Sequence, residues 1–152
     1  MRRLSGVLLA GAMLLLPALT TTAAAQAAAP QKFTMEGDLA IWSVSIRPDK
    51  TADYEQVLGK VKEALTKSQL PEAKQQLAGW RVVKAAKPMP DGNILYQHVI
   101  QPVAGADYNI LQVLYATFTD PTEQKTLYDL YRGAFVGNLG ISSGIVVADL
   151  SK

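Results

Sequence analysis

The order in which hydrophobic periodicity changes along the chain limits its fold more than any other feature. Over residues 39–47, Ala40, Trp42, Val44 and Ile46 alternate with Ile41, Ser43, Ser45 and Arg47. This period of two predicts a strand with one apolar row. Pro48 and Asp49 end it. Over about residues 51–68, Tyr54, Val57, Leu58, Val61, Ala64 and Leu65 recur at spacings of three and four, the stripe of an amphipathic helix. Pro71 suits the first turn of a short second helix, which Gly79 closes. Residues 80–86 and 94–101 read as strands, and Asp91-Gly92 between them supplies the positive φ of a hairpin turn. A further helical region starts near Asp107, with Leu111, Leu114, Tyr115 and Phe118 on one side. Asp120, Pro121 and Glu123 then form a helix start, and Leu127, Leu130, Tyr131, Ala134 and Phe135 form its stripe. Gly137, Gly140 and Gly144 read as a loose connection, and residues 144–150 as a last strand.

The resulting β-α-β-β-α-β order predicts an α+β domain with a ferredoxin-like antiparallel sheet and its helices packed on one face. Such a sheet has a second face in need of cover. Two copies that pair their sheets into a dimeric α+β barrel would supply it, so a homodimer is expected by analogy of fold.

Composition matters most at the N-terminus. The 152 residues carry 15 Lys+Arg and 13 Asp+Glu, a net charge of +2. Arg2 and Arg3 precede an apolar run over residues 7–19 and a small-residue stretch over 20–29, with Ala23 and Ala25 placed for cleavage after Ala25. This three-part pattern predicts a signal peptide over residues 1–25, a flexible segment over 26–37 and a single domain over 38–152. Loss of Arg2 and Arg3 leaves 13 basic against 13 acidic residues, without the positive excess that would favour nucleic acid. The apolar run is shorter than the roughly 20 residues a membrane-spanning helix needs. The expectation is an exported protein, periplasmic or secreted, with no stable membrane span after cleavage. With no cysteine in the chain, disulfides, a thiol nucleophile and thiolate metal ligands are excluded.

Four blocks of the chain carry a resemblance: residues 42–54, 79–85, 90–96 and 105–111. They resemble segments of small exported bacterial proteins of unassigned function, and they bring no catalytic motif. At the level of fold the chain is similar to the dimeric α+β barrel group, which includes small cofactor-free monooxygenases of antibiotic biosynthesis. That group's functional Asn, Trp and Arg residues do not map one by one onto this chain.

Gly140-Ile141-Ser142-Ser143-Gly144 matches G-x-S-x-G. The nucleophile reading needs a strand before the serine and a helix after it, with an acid and a histidine further on. Only eight residues follow Gly144, so a Gly/Ser connection is the better reading. The single histidine, His98, lies mid-strand and shares a face with Ile94, Tyr96 and Ile100. If that face points away from the helices, His98 and Tyr96 line an inter-sheet pocket together with Ser43, Ser45 and Arg47. This lining would be apolar with a few convergent polar groups. His98 would then exchange a proton with a substrate, with Tyr96 or Arg47 stabilising negative charge. The plainer reading is a hydrogen-bonded structural histidine. One histidine, no cysteine and no carboxylate cluster of calcium-loop spacing predict no metal site, and no cofactor is expected. Two functions follow. One is a non-enzymatic homodimer that binds a small apolar ligand or an envelope protein partner; the other is a cofactor-free enzyme using His98.

Overall fold

The structure is a computed structural model that describes residues 31–150. The expected signal peptide, and the flexible segment up to residue 30, lie outside the described residues. The domain is α+β, with four antiparallel strands and four helices. Strand β1 (Leu39–Ile46) runs through a short 3-10 turn into α1 (Thr51–Lys67). Helix α2 (Ala73–Gly79) leads directly into β2 (Trp80–Lys84), which pairs with β3 (Ile94–Ile100). Next come α3 (Ile110–Thr117), α4 (Pro121–Ala134) and β4 (Phe135–Gly144). The sheet order is β2-β3-β1-β4. No helix of the described residues is long and apolar enough to cross a membrane.

Local chemistry sets the element boundaries. Gly92, at φ 82°, closes the β2–β3 turn, where its N–H donates to the Met89 carbonyl at 2.9 Å. Asp120 caps α4, its carboxylate accepting from the Glu123 N–H at 2.8 Å. Helix α3 starts later than the sequence pattern suggests. Asp107 is bound to the Phe33 and Asn109 N–H groups, and Asn109 caps the helix by accepting from Leu111 and Gln112.

The largest departure from expectation is the last strand. It occupies 135–144, the segment read as a loose connection, and residues 145–150 form no strand. Phe135 enters the sheet straight from α4 and pairs with Ile46, and the pairing ends where Leu39, the first residue of β1, meets Gly144. Beyond that point β1 offers no backbone to pair with. The glycines are absorbed by irregularity within the strand: the β1–β4 register shifts twice, and Gly140 sits at φ 114°.

The core lies on one side of the sheet. Ala40, Trp42, Val44 and Ile46 of β1 are buried there with Tyr96, His98 and Ile100 of β3. Tyr54, Val57, Val61 and Leu65 of α1, Leu114 of α3 and Leu127 of α4 are buried as well. On the other face Ile41, Ser43, Leu95, Gln97 and Val99 are only partly buried, and Val83 is about half exposed.

Candidate functional site

The register decides where the candidate residues go. Trp42 pairs with His98 across β1 and β3, and Val82 pairs with His98 across β2 and β3. His98 therefore points to the core side with Trp42, and it is fully buried. This corrects the expected inter-sheet pocket: His98 and Tyr96 lie together under α1, while Ser43 and Ser45 occupy the opposite row. Arg47 is exposed beyond the end of β1, its backbone N–H donating to the Ala134 carbonyl at 2.9 Å. The physical reason is amphipathicity. The row of Ile94, Tyr96, His98 and Ile100 buries more apolar surface than Leu95, Gln97 and Val99 would.

Both ring nitrogens of His98 are engaged. The Trp80 indole N–H donates to Nδ1 at 2.9 Å, and the Tyr54 hydroxyl lies 2.7 Å from Nε2. An indole N–H can only donate, so Nδ1 is an acceptor and the proton of the neutral ring sits on Nε2, which donates to Tyr54. The Trp42 ring packs over the imidazole with centroids 4.5 Å apart. Burial pushes the His98 pKa down to about 4 and raises that of the Tyr54 hydroxyl. A second proton on His98 would set its Nδ1–H against the indole N–H. The arrangement holds a neutral ring in place and gives it no route to a substrate.

Tyr96 is likewise committed, its hydroxyl donating to Glu55 at 2.7 Å while Lys84 donates to the same carboxylate oxygen at 3.0 Å. Tyr54, which the sequence places in the apolar stripe of α1, and Trp80 at the start of β2 are the partners that define His98. Their signal was the histidine itself: a buried imidazole needs two polar partners, and Trp80 and Tyr54 are aromatic residues with polar tips on neighbouring elements.

The uncovered sheet face has different character. A shallow depression of about 350 Å³ is lined by Ile41, Ser43, Gln97, Leu139, Gly140 and Ser142, among others. A second of similar volume runs from Leu39 and Ile41 along residues 142–148. Ser142 of the G-x-S-x-G stretch lines both depressions and lies within β4 rather than on a strand-to-helix turn, so the nucleophile geometry is absent. Ser45, in the same row as Ile41 and Ser43, is buried with its hydroxyl oxygen unpartnered. Ile145, Val146 and Val147 are strongly exposed, and the Val146 N–H donates to Asp38 at 3.0 Å, tying the segment to the start of β1. Among the described residues no group of three His, Asp or Glu side chains is placed to hold a metal ion. No family model, curated protein or solved structure matches the chain.

Proposed function

We propose that the protein is an exported, non-enzymatic ferredoxin-like domain that acts as a homodimer through its uncovered sheet face, enclosing a small apolar ligand between the two sheets. The observation that carries this reading is the apolar set Ile41, Leu95, Val99 and Val83 on that face, beside the polar Ser43, Gln97 and Ser142 and the exposed Arg81 toward one edge. Ile41 lies at the centre of the face, paired with Val99 on one side and Ser142 on the other, and it borders both depressions. The strand order β2-β3-β1-β4, with helices in each of the two crossovers, supports the ferredoxin-like assignment. A second sheet laid on this face would close a dimeric α+β barrel and turn the open depressions into an enclosed, mostly apolar space.

The size of the face refines the proposal. Eight residues of β1 and four strands, at about 3.3 Å per residue and about 4.8 Å between strands, give a footprint of about 500 Å². A stable interface needs about 800 Å² per partner. The exposed segment 145–150, which continues from β4 and carries Ile145, Val146 and Val147, supplies the additional apolar area.

The test is the mass in solution, by size-exclusion chromatography with light scattering, of the wild-type protein and of Ile41→Lys. A wild-type dimer that Ile41→Lys converts into a folded monomer is the expected result. A wild-type monomer at about 100 μM, well above the dissociation constant of a micromolar dimer, would sink the proposal and favour docking of the bare face onto a different envelope protein.

A further inference from the structure

On the helical side, away from the sheet face, α1, α2 and α3 enclose a cavity of about 230 Å³. Its apolar wall is built from small and medium side chains: Ala64 and Leu65 of α1, Ala73 of α2, and Val113 and Ala116 of α3. By water's share of liquid volume it has room for about eight waters, the scale of a small organic molecule.

The polar groups around this wall are unbalanced. Gln76 is only 3% exposed, and its Nε2 donates to the Asp107 carbonyl at 2.6 Å. That leaves Oε1 of this cavity-lining amide without a partner among the described residues. Glu72, one turn earlier on the same side of α2, also lines the cavity. Its side chain is 17% exposed and accepts no hydrogen bond from the described residues; it pairs with Lys32 Nζ at 3.9 Å. Lys32, which also lines the cavity, donates one of its three N–H groups to the Gly105 carbonyl at 2.6 Å and holds the ion pair with Glu72 only at this long distance. Asp107 uses Oδ1 to accept from the Phe33 and Asn109 N–H groups, so its Oδ2 remains available. The lining thus sets Glu72 and Asp107 against the one cation Lys32, an excess of one negative charge and of acceptors above an apolar floor. A ligand that fits it brings donors, a positive charge and a slender apolar body.

We propose that the cavity between α1, α2 and α3 binds a small primary amine, its ammonium group donating to Glu72 and Gln76 and its hydrocarbon part lying against Ala64, Val113 and Ala116. This assignment does not depend on the sheet-face dimer, which uses the opposite side of the domain.

The test uses the purified full chain, labelled with nitrogen-15 and titrated at pH 7 with hexylammonium chloride and, separately, with sodium hexanoate. Hexylammonium is expected to shift the amide signals of residues 64–76 and 107–116 along a saturating curve, and hexanoate to leave them in place. Glu72→Gln should weaken the amine about fivefold, the scale of one partly screened ion pair. Ala116→Phe, at an exposed position on the cavity wall, should abolish binding while leaving the rest of the spectrum unchanged. Equal shifts with hexanoate, shifts that rise linearly without saturation, or an unchanged affinity in Glu72→Gln would each overturn the proposal.

Discussion

His98 should make the fold sensitive to mild acid, and the structure gives the size of the effect. The folded ring stays neutral down to about pH 4 because it is buried between Trp42, Trp80 and Tyr54, whereas its ordinary value is 6.5. Between these values the unfolded chain binds a proton that the folded chain does not, so stability rises with pH across this window. The contribution is fully present above pH 6.5 and is lost as the pH falls toward 4. A displacement from 6.5 to about 4 corresponds to about 3 kcal/mol, a large share of the roughly 5–15 kcal/mol of a typical domain. The assay is urea unfolding followed by tryptophan fluorescence at pH 7, 6, 5 and 4.5, with His98→Gln beside the wild type. Glutamine offers an acceptor for the Trp80 N–H and a donor for Tyr54, but it does not titrate. The wild type should lose up to about 1.4 kcal/mol per pH unit below pH 6 relative to the variant. The lowered carboxylates Glu55, Glu63 and Asp91 are common to both proteins and drop out of the difference. Parallel pH profiles, or a nuclear magnetic resonance titration that places the folded His98 midpoint near 6.5, would refute the reasoning.

Two further substitutions probe how β4 is held. Gly37 sits at φ 84°, and a Cβ there would lie 2.5 Å from the Gly144 carbonyl oxygen. Gly37→Ala should therefore cost about 2 kcal/mol or more and speed amide exchange at Val146, whereas Gly92→Ala, at φ 82° with open space around it, should cost only about 1 kcal/mol. Chemical denaturation of the pair measures the difference; equal losses would show that the contact with Gly144 is unimportant. Asn138 accepts from the Trp42 indole N–H at 3.1 Å and from the Gly140 N–H at 2.9 Å, bridging the irregular part of β4 to the core. Asn138→Ala should cost about 1–2 kcal/mol in the same assay by leaving a nearly buried donor unpaired, and an unchanged unfolding midpoint would show that water replaces it.

The elements whose cues are local were legible in the sequence. The stripe of Tyr54, Val57, Val61 and Leu65 marks α1, the Asp120 cap marks the start of α4, and Asp91-Gly92 marks the hairpin turn. What the sequence left hidden depends on partners distant along the chain. Glycines at 137, 140 and 144 suggest a loop on conformational grounds, yet pairing with β1 from Ile46 to Leu39 outweighs their flexibility and makes this segment the edge strand. The side of the sheet taken by His98 is likewise a question of register. A polar imidazole suggests a pocket or an exposed row, but the side chains sharing its row are Ile94, Tyr96 and Ile100. Burying them draws the histidine inward, where Trp80 and Tyr54 satisfy it.

That inward pull sets the aromatic cluster apart from the two surfaces proposed above for a second sheet and for an amine. With His98, Tyr96 and Tyr54 bound to one another or to Glu55 inside the core, the polar groups left without partners lie outside the aromatic cluster. Among the described residues, one is the Ser45 hydroxyl, buried in the row of the uncovered sheet face, and another is the Gln76 amide oxygen, on a side chain that lines the helical cavity. The first belongs to the row of Leu39, Ile41 and Ser43, where apolar cover from a second sheet would bury uncharged surface, the one charge on the other strands of that face being Arg81 opposite Val99. The second is accompanied by the carboxylates of Glu72 and Asp107, where apolar cover alone would strand negative charge and a cation is needed. The chemistry of the two surfaces thus differs, and the two proposals call for different kinds of partner.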